Sequence, residues 1–354
     1  MFKETFITLG KIFKASVEEN GVLSEDLLPY KNDVENLKNI IKDYHNYNGW
    51  FEEKFVKMQL ISLANMLNEK DLTAFEVKYG QGTLSEKKVK IIAAGNIPLV
   101  CFHDIFCILF SGKKCVIKFS QKDKLLPYLV TEILKHINPE LTDRIIEEKD
   151  TKENFDAIIA TGSNNSSRYF EYYFAKYPHI IRHNRNSVAV ITGEETAEDY
   201  KLLAEDIFAY YGLGCRSVSK IYVPKDYDYQ EFFKNIVDFS FIINNSKYAD
   251  NYDYNKAIYL MAENKILINN FLILKEDENL SSPVGVLFAE RYENLEELSK
   301  KLTFLTENLQ CVVSKTQIPN VETVKLGSAQ TPSVFDFADG VDTMEFLKNS
   351  VSNP

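Results

Sequence analysis

Three stretches of the sequence put chemistry-bearing residues at the ends of apolar runs. In VKIIAAGNIP, Gly95 and Asn96 follow a β-rich run where a strand hands over to the next element. Ligands of open α/β sheets sit at that edge. An asparagine amide there can donate to a developing oxyanion; alternatively, Asn96 caps a helix begun by Pro98. In IIATGSNNSSRYF, the run ends at Thr161, Gly162 and Ser163, and a polar helix start follows. Backbone N–H groups at such a start favour phosphate, although a plain turn with a Ser or Asn cap fits the same residues. Cys215 follows Gly212-Leu213-Gly214 and precedes Arg216. An exposed turn and a nearby cation both favour thiolate, whereas the plainer reading is a packing residue. Cys101, Cys107, Cys115 and Cys311 lie in apolar surroundings and read as packing.

Other chemistries lack their residues. No P-loop, G-x-S-x-G elbow, H-E-x-x-H or complete G-x-G-x-x-G occurs, and Gly80-Gln81-Gly82 gives only half of the last. The five histidines, His45, His103, His136, His179 and His183, have no metal-ligand spacing, so no metal site is expected. Lys plus Arg number 41 against 51 for Asp plus Glu, a formal charge of −10 with no basic stripe. That excludes a nucleic-acid binder as the expected class. The most apolar stretch, Ile97 to Phe110, is interrupted by His103 and Asp104 and is shorter than the roughly 20 residues of a membrane span. The opening MFKETFITLGKIFKAS reads as an amphipathic helix rather than a signal peptide. An odd count of five cysteines without C-x-x-C suits a reduced, cytoplasmic protein.

Something must hold those three stretches in place. The first 70 residues carry helical spacing, as in Leu37, Ile40, Ile41 and Tyr44. Beyond Gly82, β-rich runs at 89–95, 114–120, 155–162, 187–193 and 219–224 alternate with helical segments at about 98–111, 121–137, 164–177 and 194–210. Such alternation predicts an α/β fold with a parallel sheet. Runs at 239–244, 267–274, 283–292 and 310–315 continue it less regularly, and 247–256 reads as a solvated loop or helix start. A composition shift at YYGLGC places a domain boundary near residue 210. The expected division is 1–210, helical N-terminus with the cofactor domain; 211–320, the domain of Cys215; and 321–354, a C-terminal arm. Phe232, Phe233, Phe239, Phe241 and Phe271 read as core before they read as an acyl tunnel.

The motifs AAGNIP (93–98), VIKFS (116–120), ATGSNNSSRYF (160–170), NRNSVAV (184–190), GLGCRS (212–217) and SPVGVLF (282–288) occur in an order that resembles the aldehyde dehydrogenase superfamily. Within it they are similar to the acyl-CoA reductase branch, typified by the LuxC-type fatty-acid reductases of bacterial luminescence. The resemblance implies a Rossmann-like cofactor domain without the glycine fingerprint, followed by an α/β catalytic domain. It implies Cys215 as nucleophile and Asn96 as the side-chain donor of the oxyanion hole, shared with the Cys215 backbone N–H. It implies Lys118 on the adenosine ribose, with Ser120 and Gln121 beside it, and Thr161, Gly162 and Ser163 at the pyrophosphate and nicotinamide.

Departures refine the expectation. Gln121-Lys122 replace the glutamate that NAD-preferring relatives carry, which leans to NADPH with NADH as the alternative. Ile181 stands where aldehyde-oxidising relatives place a water-activating glutamate, with Arg182 and His183 beside it. Without that base, thiol chemistry is favoured over hydrolysis. Leu213 replaces a glutamine before the nucleophile, and Asn279-Leu280-Ser281-Ser282-Pro283 replace E-x-F-G-P. The implied activity is NAD(P)H-dependent reduction of an acyl-CoA to the aldehyde through an acyl-cysteine. The competing readings are a non-catalytic scaffold of the same fold and an acyl-phosphate or semialdehyde oxidoreductase. The resemblance also implies a homo-oligomer, with 75–81 and 321–327 as candidate strand-exchange arms, and an acyl-activating synthetase as a possible partner.

Overall fold

A computed structural model describes residues 2–18, 21–148, 154–162 and 164–351. The chain forms two compact units, Met1–Asn184 with Thr331–Pro354, and Arg185–Gln330.

The first unit opens with four helices, α1 (Phe2–Val17), α2 (Lys31–Asp43), α3 (Glu53–Met66) and α4 (Glu69–Tyr79). Each buries one stripe, as Val34, Leu37 and Ile41 do on α2. Asn68 caps α4 by accepting from the Asp71 N–H. An alternating section follows: β1 (Lys88–Ile92), α5 (Phe102–Phe110), β2 (Lys114–Lys118), α6 (Leu125–Ile137), β3 (Ile145–Glu147), β4 (Ala157–Thr161), α7 (Asn164–Phe174) and β5 (His179–Arg182). The five strands pair parallel in the order β3-β2-β1-β4-β5. In β4, Ala157 to Ala160 are all buried, the near-continuous apolar run that a strand covered on both faces requires. The chain winds outward from β1 to β3 and then returns to β4 beside β1. The carboxyl ends of β1 and β4 therefore flank the point where strand order reverses. Behind the sheet, Phe6, Phe75 and Phe106 pack ring against ring, with centroids 4.8 and 5.2 Å from Phe106.

The second unit comprises β6 (Asn186–Val190), α8 (Ala197–Phe208), β7 (Val218–Pro224), α9 (Gln230–Asn235), α10 (Ser246–Met261), β8 (Ile266–Ile268), β9 (Ile273–Glu276), β10 (Val286–Tyr292), α11 (Leu295–Phe304), β11 (Leu309–Ser314) and β12 (Thr323–Val324). Its seven strands run β12-β11-β6-β7-β10-β9-β8, and β8 is antiparallel to β9. A Thr196–Asp199 capping box starts α8. The chain then returns to the first unit, where α12 (Thr343–Ser350) packs on α5.

The α/β class, the parallel sheet and the strands at 114–118, 157–161, 186–190 and 218–224 agree with the sequence pattern. Several details differ. The division falls after Asn184, not near residue 210, because β6 already belongs to the second sheet and its SVAV pattern matches that of the first-sheet strands. The composition shift at 210–212 marks a turn within the second unit. Of 321–354, residues 323–324 form an edge strand on β11 and residues from Thr331 onward belong to the first unit, so the segment is not one arm. Residues 75–79 are helical in α4, not a strand. The run FSFIIN is a 3-10 helix from Val237 to Asn244. Phe232 and Phe271 are buried core.

Candidate active site

In the first unit, β1 delivers Gly95 and Asn96 to the switch-point edge. Helix α5 begins only at Phe102, with Cys101 in the cap position, so Asn96 is not its cap. Residues 96–101 form a turn, and Asn96 is exposed on it. Within that turn Leu99 holds φ +54° while buried, a backbone conformation that β- and γ-branched side chains rarely adopt. Asp123 holds it there. The Leu99 N–H donates to Asp123 Oδ2 at 2.8 Å, and the Tyr44 hydroxyl donates to Asp123 Oδ1 at 2.7 Å. Burial pushes the Asp123 carboxyl up to about 7, with the hydrogen bonds from Tyr44 and Leu99 opposing the rise.

The loop after β2 lies against the same turn. Lys118, at the carboxyl end of β2, is exposed, as are Gln121 and Lys122, and Ser120 is half-buried. A Cβ on Gly95 would fall 2.5 Å from Ser120 Oγ and 3.1 Å from Lys122 Cβ, so only glycine permits this approach. Asp123 N–H donates to Ser120 O at 3.2 Å, closing the loop. Asn48 Nδ2 reaches Lys122 O at 3.1 Å. One buried carboxylate thus anchors both the Asn96 turn and the loop of Lys118, Ser120 and Gln121. At the end of β4, Thr161 and Gly162 are half-buried. A Cβ on Gly162 would meet Ser166 Cβ at 2.9 Å and Phe170 Cε2 at 3.0 Å, which seats α7 tightly on the strand end. Ser163 lies outside the described residues. His183 is exposed and pairs with exposed Glu171 at 3.3 Å. Arg182 is buried in a two-pronged pair with Asp104, at 2.6 Å on each prong.

In the second unit, Cys215 follows an unusual backbone. Tyr210, Tyr211 and Gly212 hold φ of +52°, +59° and +76° in succession, and both tyrosines are buried. Two successive non-glycine residues in the left-handed region persist only where surroundings over-determine them. Here Leu213 N–H bonds to Tyr210 O at 3.0 Å, and Ser217 Oγ donates to Ala209 O at 3.2 Å. Buried Asp206 accepts from the N–H groups of Gly327 and Ala329 at 2.7 and 2.9 Å, and Arg216 Nε donates to Ala329 O. Burial raises the Asp206 carboxyl to about 7. Ser187 Oγ donates to the Cys215 carbonyl at 2.9 Å and lies 3.0 Å from Cys311 Sγ. Among the five free cysteines Cys215 alone is half-buried; the other four are buried. Burial pushes the thiols of Cys101, Cys107 and Cys115 well up, which disfavours their thiolates. The Arg216 cation expected to assist the thiol is turned to a backbone carbonyl instead.

The structure thus gathers Gly95, Asn96, Lys118, Ser120, Gln121, Thr161 and Gly162 at one edge of the five-stranded sheet, and it sets Cys215 on a fixed loop of the second unit. Tyr44, Asp123, Ser187 and Asp206 carry no signal in the sequence. Asp123 sits in SQKDK, which has the composition of a solvated turn, and Ser187 lies unmarked inside an apolar strand. Among the described residues, no group of three or more His, Cys, Asp or Glu side chains is placed to hold a metal ion, and no helix is long and apolar enough to cross a membrane.

Solved structures share this fold at low identity. Aldehyde dehydrogenase 21 from Physcomitrella patens, in complex with the reaction product succinate, aligns with TM-score 0.63 at 13% identity over 96% of this chain and 84% of its own. An NADP-dependent enzyme of E. coli aligns with TM-score 0.62 at 10% identity, over 91% and 77%. An NAD-dependent benzaldehyde dehydrogenase from Corynebacterium glutamicum gives 0.59 at 12% identity, over 90% and 80%. Comparison with curated protein sequences returns no match. The family profile described as acyl-CoA reductase (LuxC) matches residues 52–239, which contain the Asn96 turn, the Lys118 loop and Cys215. With more than half of its length inside that match, the chain belongs to the acyl-CoA reductase (LuxC) family.

Proposed function

We propose that this chain reduces an acyl-CoA to the free aldehyde through an acyl thioester on Cys215, using a nicotinamide cofactor, NADPH in preference to NADH. The observation that carries the reading is Cys215 itself: a half-buried thiol on a loop held by Ser187, Ser217 and the 210–212 backbone, inside the span matched by the family.

The residues fit the cofactor. Gly95 permits the loop of Lys118, Ser120 and Gln121 to close on the Asn96 turn, and Gly162 permits a strand-to-helix turn too tight for any side chain. Lys118, Ser120 and Gln121 would hold the adenosine ribose, with exposed Lys122 available to a 2′-phosphate. Thr161, Gly162 and Ser163 would hold the pyrophosphate at the start of α7. When bound, the nicotinamide supplies the hydride.

The protein's own groups account for the rest. The Cys215 thiolate attacks the thioester carbonyl carbon. The carbonyl π pair moves to oxygen, where the Asn96 amide and the Cys215 backbone N–H donate to the oxyanion. Collapse breaks the bond to coenzyme A, which leaves as thiolate and takes a proton from water. After reduction of the acyl-enzyme, the same two donors hold the thiohemiacetal oxyanion, and its collapse returns the Cys215 thiolate and the aldehyde. Ile181 supplies no base, so this position does not activate water against the acyl-enzyme. The same reading makes the protein a cytoplasmic homo-oligomer fed by an acyl-activating reaction upstream.

The test follows NADPH oxidation and free-thiol release together, with acyl-CoAs of several chain lengths, for the wild type and Cys215→Ala. One thiol released per NADPH oxidised, both abolished by Cys215→Ala, supports the reading. Thiol release that persists in Cys215→Ala contradicts it.

A further inference from the structure

Gly80-Gln81-Gly82, half of a phosphate-binding fingerprint in the sequence, takes no part in the site above. It lies before β1, so it and Lys113, just before β2, stand at the amino-terminal edge of the parallel sheet. Asn96 and Lys118 are at the opposite edge, five strand residues away or roughly 16 Å.

A cavity of about 470 Å³ opens here, lined by Lys78, Lys113, Lys348, Thr83, Ser85 and Ser111 among others, with Glu345 as the carboxylate on its wall. The wall is tightly built. A Cβ on Gly82 would fall 2.1 Å from the Ser111 carbonyl carbon, and one on Gly112, at φ +77°, would fall 2.3 Å from Thr83 O. Buried Arg144 clasps both sides by donating Nη1 to Ser85 O at 3.1 Å and to Gly112 O at 3.0 Å.

Lys113 is the informative residue. Among the described residues three lysines are buried. Lys90 pairs with Glu148 at 2.6 Å, and Lys220 pairs with Glu290 at 2.6 Å. Lys113 is 8% exposed, and among the described residues no hydrogen bond, ion pair or ring contact engages its ammonium. Burial pushes its pKa down, and no carboxylate brings it back. The stem of Lys113 is buried and the residue lines the cavity, so its ammonium is partly desolvated with no carboxylate beside it, and an anion in the cavity would supply the missing partner.

We propose that this cavity is a binding site for a phosphate group, held by Lys113 with Lys78 and Lys348 against the Gly80–Thr83 loop. A free anion there is independent of the Cys215 reading, whereas coenzyme A there rests on it. The phosphate belongs either to a free small anion or to the nucleotide end of coenzyme A.

The experiment measures thermal unfolding and calorimetric binding of inorganic phosphate at fixed ionic strength, with chloride as control. Phosphate raises the melting temperature of the wild type. In Lys113→Met phosphate binds at least tenfold more weakly, while the variant melts no lower than the wild type in chloride, since among the described residues the ammonium makes no bond that is lost. Lys113→Arg keeps the phosphate response. A second measurement uses the wild type alone: phosphate slows modification of Lys113 by an amine-acylating reagent at least fivefold, mapped by peptide mass. Adenosine 3′,5′-bisphosphate binding tighter than inorganic phosphate assigns the site to coenzyme A; equal or weaker binding assigns it to a free anion. No phosphate response in the wild type, an equal response in Lys113→Met, or no protection of Lys113 overturns the proposal.

Discussion

The backbone N–H of Leu99 donates to Asp123 Oδ2 at 2.8 Å, and this bond fixes a buried leucine at φ +54° three residues beyond Asn96. The other carboxylate oxygen accepts from Tyr44 at 2.7 Å, and the Tyr44 oxygen in turn accepts from the Leu126 N–H at 3.2 Å. Asp123 is therefore a positioning residue: it touches no reacting atom, yet it sets the turn that carries the proposed oxyanion donor.

Replacing Asp123 with Asn leaves one acceptor for two donors and turns an N–H₂ group on the other. The loss of a hydrogen bond to a buried charged group is worth about 1.5–3 kcal/mol, and here it is expected to lower kcat by roughly ten- to a hundredfold. Tyr44→Phe keeps the Leu99 bond and should fall less. Alkylation of Cys215, which lies in the other unit, should proceed at the wild-type rate in both variants. Steady-state kinetics beside iodoacetamide labelling checks this, and a slowed alkylation in Asp123→Asn would show a general structural defect instead.

Asn96→Ala removes one of the two proposed oxyanion donors. A loss of about 10²–10³ in kcat is expected, with little change in the KM for NADPH. A variant that falls only twofold would remove Asn96 from the chemistry.

Cys215 should be the reactive thiol of the native protein. Under native conditions iodoacetamide should label Cys215 well before Cys101, Cys107, Cys115 or Cys311, which are buried. Ser187→Ala, which removes the hydroxyl that donates to the Cys215 carbonyl and lies 3.0 Å from Cys311 Sγ, should cost about 1 kcal/mol of stability. Peptide mapping and urea unfolding read the two effects.

Asp123 and Asp206 give stability a definite pH dependence. Both carboxyls are raised by burial from 3.8 to about 7. Between those values the folded protein holds protons that the unfolded chain has released. Their contribution is therefore full below about pH 4 and is lost as pH rises to about 7. Asp206→Asn should reduce the loss of unfolding free energy per pH unit in that window by up to about 1.4 kcal/mol. Urea unfolding at several pH values measures it, and an unchanged slope would contradict it.

The legible parts of the sequence were those written in local periodicity. Alternating apolar runs gave the parallel sheet, and Gly95, Gly162 and Gly212 stood where the chain must bend or approach closely. The residues that stabilise those bends were not legible, because their partners are remote. Asp123 acts on Leu99 and on Tyr44, Asp206 acts on Gly327 and Ala329, and nothing in the flanking residues marks either carboxylate as buried. The division after Asn184 was hidden for a related reason: β5 and β6 have similar local patterns, and only pairing assigns them to different sheets. At Asn96 the alternatives were separable only by the start of α5, which lies past the position that Pro98 suggests.

In the proposed mechanism Cys215 carries the acyl group. The direct measurement mixes the protein with an acyl-CoA in the absence of nicotinamide cofactor and determines intact mass, followed by peptide mapping. One acyl group on Cys215, with one equivalent of coenzyme A released and the aldehyde formed only after NADPH is added, is the predicted result. An unmodified Cys215 in a protein that nevertheless reduces the same acyl-CoA would exclude Cys215 as the acyl carrier.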